Sequence, residues 1–198
     1  MDILLHACCG PRLTGSYPLL ESSAGTGKTA LFWENPNIHP FIEYQQRLES
    51  FKTAADHFKL EVLYGENAYG LERFLKSLNG DFGPQRCATC YRLRLEATAR
   101  AAARAGIAAF TTTLLISPYQ DHELLIKTGQ TLAAENGVIF HYTDFRPGFR
   151  ASHDAARALG LYRQKYCGCI FSEHDRYKGD KKYLNPGAGK GVGMIETA

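Results

Sequence analysis

Short apolar segments alternate with longer segments of helical periodicity along most of this chain, and no other feature restricts the fold class as tightly. Ile3-Leu-Leu-His-Ala7, Ala30-Leu-Phe-Trp-Glu34, Leu60–Tyr64, Ala108–Thr113 and Val138–Tyr142 read as buried strands. Between them Phe41, Tyr44, Leu48, Phe51, Ala55 and Phe58 recur at spacings of three and four, and Leu71–Leu78 is a short helix. Thr89–Ala105 is rich in Ala, Arg and Leu and is stopped by Gly106, and Asp121–Glu135 is closed by Asn136-Gly137. Arg150–Leu159 is the last regular segment. Strands alternating with helices of this length predict an α/β fold with a mainly parallel sheet covered by helices on both faces. A chain of 198 residues suffices for one such domain. We assign residues 1–172 to it and 173–198 to a basic C-terminal extension, with a mobile tail at Gly187–Gly193. No apolar run approaches the length of a membrane span. Ile3–Ala7 is too short for the core of a signal peptide, and Asp2 stands where a basic residue belongs. The expectation is a cytoplasmic protein whose thiols are kept reduced.

Four unusual loops follow directly after predicted strands: Cys8-Cys-Gly-Pro11, Asn35-Pro-Asn-Ile-His39, Leu115-Ile-Ser-Pro-Tyr119 and Asp144-Phe-Arg-Pro-Gly148. In an open parallel sheet, loops at the carboxyl ends of the strands share one rim, where ligands bind. These four are therefore expected to converge on one crevice.

All six cysteines fall in close pairs: Cys8-Cys9, Cys87-x-x-Cys90 and Cys167-x-Cys169. Grouped thiols suit soft metals, iron–sulfur clusters or two-electron dithiol chemistry, with plain structural packing as the bland alternative. Cys87-Ala-Thr-Cys90 lies between the Pro84-Gln-Arg86 loop and a predicted helix start, where the helix N-terminus is expected to favour the thiolate. Cys8 and Cys9 point to opposite faces if the chain stays extended, and serve one centre only if it turns at Gly10-Pro11. Cys167 and Cys169 can close only a strained, easily reduced disulfide, which suits electron relay; alternatively they are two further ligands.

From Arg146 onward there are 10 Lys/Arg against 5 Asp/Glu, whereas residues 1–145 hold 13 against 15. With interleaved Tyr162, Tyr166, Phe171, Tyr177 and Tyr183, this resembles a surface for a polyanion with stacking aromatics; a solvated basic face is the alternative. Gly25-Thr-Gly-Lys28-Thr29 is similar to the end of a phosphate-binding loop, but Ser22 stands where the first Gly is required and a strand follows instead of a helix. It reads as a helix-to-strand loop. Asp121 and Asp144 are candidate acids or ligands at the rim, although an isolated loop Asp is more often a turn or cap residue. His6 reads as a core histidine, and His39 and His122 as structural more than catalytic.

Taken together, Leu5-His-Ala-Cys-Cys-Gly-Pro11, Asn35-Pro-Asn-Ile-His-Pro40, Arg86-Cys-Ala-Thr-Cys-Tyr-Arg-Leu-Arg94, Thr111-Thr-Thr-Leu-Leu-Ile-Ser-Pro-Tyr119, Asp144-Phe-Arg-Pro-Gly148 and Leu161-Tyr-Arg-Gln-Lys-Tyr-Cys-Gly-Cys169 resemble, in order, the QueH family of epoxyqueuosine reductases. The resemblance implies a Rossmann-like fold related to that of PP-loop tRNA-modifying enzymes. It further implies a [4Fe–4S] cluster, an additional mononuclear iron, and reduction of epoxyqueuosine to queuosine at the wobble position of the tRNA anticodon loop. By position it makes Cys8, Cys9, Cys87 and Cys90 metal ligands, Cys167 and Cys169 a redox-active disulfide pair, and Asp144 an acid or ligand. Arg146, Arg150, Arg163, Lys165 and Tyr119 are the residues expected to hold RNA; the electron donor is unspecified. The chain departs from the family pattern at Arg12, where Cys or Asp is expected just after the Cys-Cys-x-Pro stretch, and this weakens the second iron or leaves water to complete its shell. Two other readings share these features: a PP-loop-like iron–sulfur tRNA thiolation enzyme and a zinc-stabilised RNA-binding module. The first lacks its Ser-Gly-Gly-x-Asp-Ser-type loop after the first strand.

Overall fold

The computed structural model describes residues 1–25, 27–65 and 69–180. Five strands, β1 (Ile3–His6), β2 (Thr29–Trp33), β3 (Val62–Tyr64), β4 (Ala109–Thr112) and β5 (Ile139–Phe140), form one sheet in the order β3-β2-β1-β4-β5. Every neighbouring pair is parallel, with Leu5 level with Leu31 on one side and Thr111 on the other. Both faces of central β1 are buried, as its run of apolar residues requires. Helices α1 (Gly10–Ala24), α2 (Phe41–Phe58), α3 (Leu71–Ser77), α4 (Arg86–Arg104), α5 (His122–Asn136), α6 (Phe149–Ala158) and α7 (Ile170–Tyr177) complete the fold. Helix α1 packs on α2 and α6, and α4 packs on α5, β1 and β4. The α/β class and the parallel sheet are as the alternation predicts.

Two details differ from the sequence expectation. Helix α1 begins at Gly10 itself, where the sequence suggests only a turn; Pro11 is tolerated in the first turn because its missing N–H would be unpaired there anyway. Gly15 and Gly148 let α1 and the start of α6 touch, since a Cβ on Gly148 would lie 2.5 Å from the Gly15 carbonyl oxygen. Helix α7 continues past Cys169, where periodicity fades, so the boundary expected at residue 172 falls inside a continuous helix. The Gly187–Gly193 tail, with Lys181, Lys182, Tyr183 and Lys190, lies outside the described residues.

Two histidines are buried in this frame. His6 shares a 2.9 Å hydrogen bond between Nδ1 and Thr112 Oγ1, and His39 donates from Nε2 to the Pro36 carbonyl at 2.9 Å. Burial lowers their pKa values to about 3 and about 4. Both imidazoles therefore stay neutral in the native state where the unfolded chain would protonate them. The stability they allow is fully present above about pH 6.5 and declines as pH falls toward 4, because the unfolded state then binds more protons. Urea unfolding followed by fluorescence of Trp33, the single tryptophan, should show a lower midpoint at about pH 5 than at about pH 7.5. Equal midpoints would contradict the neutral, buried state.

Candidate active site

The sheet order reverses between β1 and β4, and the loops leaving their carboxyl ends open a crevice at that switch point. The loop after β1 carries Cys8 and Cys9 straight into α1, and the loop after β4 carries Thr113 beside them. The Cys8 backbone N–H donates to Thr113 Oγ1 at 3.3 Å, and that hydroxyl lies 3.6 Å from Cys8 Sγ. The two sulfurs of Cys8 and Cys9 are 3.9 Å apart. Two thiolates on one tetrahedral ion with bonds of about 2.3 Å sit roughly 3.8 Å apart, so this pair can serve a single centre. The hydrogen bond from Cys9 pulls the Cys8 thiol well below the ordinary range, helped by Arg12, Arg94 and Thr113 against the cost of burial. Burial pushes the Cys9 thiol up.

Helix α4 brings the second pair. It starts at Arg86, three residues earlier than the sequence indicates, so Cys87 as well as Cys90 lies within its first turns. The expected lowering of their thiol pKa values is overturned: burial raises Cys87 and pushes Cys90 up to about 12, outweighing the opposing pull of Arg94. One turn further along the same face, Arg94 is fully buried and places Nη1 3.8 Å from Cys90 Sγ. Its Nη2 donates to Asn35 Oδ1 at 3.0 Å, while Asn35 Nδ2 donates to the Ala7 carbonyl at 2.9 Å. That chain of contacts ties α4 to the loops after β2 and β1.

The third pair arrives on an irregular strap between α6 and α7. Buried Arg47 of α2 clamps it, donating to the Cys167 carbonyl at 2.9 Å, the Tyr166 carbonyl at 3.0 Å and Glu43 Oε1 at 2.7 Å. The Tyr166 hydroxyl donates to the His39 carbonyl at 2.6 Å, and the His39 N–H donates to the Gly168 carbonyl at 2.8 Å. Gly168 has φ +142°, and a Cβ there would crowd Arg47 and Asn37 at 3.2 Å, so the strap requires glycine at this position. Cys167 is half-buried with Gln120 Nε2 3.7 Å from its sulfur, and Gln164 of the strap reaches 2.9 Å from Cys9 Sγ. Cys169 caps α7 through its sulfur and packs with Cys90, Phe74 and Leu78. All six thiols are free.

A cavity of about 870 Å³ adjoins the strap, lined among others by Arg12, Tyr119, Gln120, Arg163, Lys165 and Cys167. Tyr119, Arg163 and Lys165 of the expected RNA contacts thus reach it; Arg146 and Arg150 are exposed but do not line it. Asp144 does not line it either. Its carboxylate accepts from the Arg146 backbone N–H at 3.0 Å and from the guanidinium at 2.8 and 2.7 Å, and these bonds hold its pKa below the usual range. These are the contacts of a turn residue. Asp121 caps α5. Periodicity cannot expose Arg47, Arg94, Gln120 or Gln164, since single polar residues inside helices and loops carry no pattern; the motif departure marks Arg12, and the spacing of four from Cys90 is the signal that Arg94 shares its helix face.

The donor chemistry fits an anionic, thiolate-ligated centre. Arg12 is half-buried and Arg94 fully buried, and neither forms a salt bridge among the described residues. Buried guanidinium groups need compensating negative charge, and the cysteine thiols beside them would supply it on ionising at a metal centre. Among the described residues no three His, Cys, Asp or Glu side chains are already drawn in around a single ion position.

A model of the epoxyqueuosine reductase QueH family matches residues 3–175. The chain is 35 % identical over 175 residues to a protein from Dehalococcoides mccartyi, covering 88 % of this chain and 94 % of that one. It is 36 % identical over 183 residues to one from Thermotoga maritima, covering 88 % and 91 %; both are named Epoxyqueuosine reductase QueH. Among solved structures, one described as a "predicted subunit of tRNA methyltransferase" from Methanocaldococcus jannaschii is similar in outline, with TM-score 0.48 and 12 % identity over 81 % of this chain and 89 % of that one. With a family model matched over residues 3–175 and relatives at 35 and 36 % identity aligned over 88 % of it, the chain belongs to the epoxyqueuosine reductase QueH family.

Proposed function

We propose that this protein is a cytoplasmic iron–sulfur oxidoreductase that reduces epoxyqueuosine to queuosine in the anticodon loop of tRNA. The observation that carries the reading is that three cysteine pairs lie around Arg12 and Arg94, arginines with no salt bridge among the described residues, beside a cavity large enough for a modified nucleoside, in a chain of this family. Cys8, Cys9, Cys87 and Cys90 hold the [4Fe–4S] cluster. When bound, such a cluster supplies one-electron transfers at a potential tuned by nearby charge and hydrogen bonds. Arg94 and Thr113 lie against its thiolates and favour their ionised form.

Opening the epoxide to an alkene takes up two electrons and two protons and releases water. Cys167 and Cys169 form the redox pair: oxidation of the two thiols to a disulfide yields two electrons and two protons, and an external reductant restores them. Cys167 stands on the cavity wall with Gln120 against its sulfur. Arg12, in the same wall, offers a cation to the departing oxygen. Tyr119, Arg163 and Lys165 hold the RNA.

The test supplies reductant and tRNA carrying epoxyqueuosine to cluster-loaded protein and analyses the digested nucleosides. Conversion to queuosine is expected. Loaded protein that binds this tRNA and leaves epoxyqueuosine unchanged sinks the reading. A colourless zinc-containing protein, anaerobically purified, would point instead to an RNA-binding module.

A further inference from the structure

The proposed function assigns Tyr119, Arg163 and Lys165 to RNA and leaves open which part of the RNA each meets. Tyr119 is 83 % exposed there, although it is a large aromatic residue. Its ring stands edge-on to Phe149, with centroids 6.1 Å apart at 79°, and Phe149 stands edge-on to His153 at 4.9 Å and 80°. The three rings come from two elements: the loop after β4, and α6, which is seated on α1 through Gly15 and Gly148. Each ring braces the next, so Tyr119 is held in place while most of its surface stays open. Its hydroxyl has no hydrogen-bond partner among the described residues. The same cavity is lined by Arg163, Lys165 and Arg176, all exposed and none in a salt bridge among the described residues. At about 870 Å³ the cavity lies near the top of the range for a pocket that encloses one small ligand, roughly 300–1,000 Å³.

We propose that Tyr119, backed by Phe149 and His153, is a stacking platform for the unpaired nucleobase next to the nucleotide that enters the cavity, with Arg163, Lys165 and Arg176 holding the phosphates between them. This rests on the RNA reading above and makes the ligand a single-stranded loop, in contrast to an isolated nucleoside. A braced, exposed ring beside mobile cations binds a base by its face, an interaction that tolerates any base and needs no matching donors. An opposing site is the cavity of about 540 Å³ lined by Lys28 and Lys59; there Asp2, Glu21 and Glu61 outnumber the two cations, whereas in the larger cavity Arg12, Arg163, Lys165 and Arg176 outnumber Asp175 and Asp180.

Fluorescence anisotropy with a labelled anticodon stem-loop tests this. Tyr119→Ala should weaken binding by about tenfold, and Tyr119→Phe should restore it to within about twofold, because the stacking face returns without the hydroxyl. Arg163→Ala and Lys165→Ala should each reduce the slope of log K against log salt by about one, whereas Tyr119→Ala should leave that slope unchanged. Lys28→Ala should have no effect. The proposal is overturned if Tyr119→Ala binds as wild type does, if Tyr119→Phe is as weak as Tyr119→Ala, or if Lys28→Ala alone weakens binding. Wild-type protein that fails to bind the stem-loop at all overturns the RNA reading itself, and this inference with it.

Discussion

Cys9→Ala is expected to cut queuosine formation by more than about a hundredfold and to abolish the visible absorbance of the reconstituted cluster. Removing a mere outer-shell partner of a metal ligand costs about 10- to 100-fold, so losing the sulfur itself must cost more. Cys9 is fully buried, 3.9 Å from Cys8 Sγ and contacted by Gln164. As a simple core residue it would cost only about 1 kcal/mol on truncation and leave turnover unchanged. Parallel measurement of absorbance, turnover and urea stability therefore separates a ligand from a packing residue. Wild-type turnover with normal absorbance would remove Cys9 from the ligand set.

Arg47→Ala is the second large effect, and it concerns stability. Arg47 is 1 % exposed, and its guanidinium joins Glu43 to two carbonyls of the strap. Glu43 is buried too and also accepts from the Tyr162 hydroxyl. Truncating Arg47 leaves that carboxylate without its cation and frees the carbonyls of Tyr166 and Cys167. Breaking a buried pair from one side costs about 3–5 kcal/mol. Urea unfolding monitored at Trp33 should show a loss of this size, and Glu43→Gln in the same background should recover part of it, since the uncompensated charge is then gone. A loss below about 1 kcal/mol would mean that solvent reaches Glu43 and the clamp is dispensable.

The chain itself revealed much of this. The five strands, the long α2 helix and the loop rim were legible because periodicity and strand-end placement are local properties. Cys8, Cys87 and Cys167 could be singled out by spacing alone. Helix α1 was less visible, because Gly10, Pro11 and Pro18 argue against a helix that tertiary packing nevertheless imposes. Of the two rim aspartates, candidates for acid or ligand with a turn or cap as the alternative, Asp121 caps a helix and Asp144 accepts from its own neighbour Arg146. A loop aspartate with a nearby arginine looks the same in sequence whether the pair faces a ligand or closes a turn.

The sequence by itself determined the α/β class, the parallel sheet, the family and the identity of the thiols, because hydrophobic period and motif order need no knowledge of distant contacts. Only the tertiary structure decided the electrostatics of the site. It showed that burial raises the Cys87 and Cys90 thiols against the helix N-terminus, that Arg12 and Arg94 provide the positive charge, and that Arg47 fixes the third cysteine pair. The physical reason is that desolvation and Coulomb interactions depend on which residues distant in sequence end up adjacent and how little water remains between them.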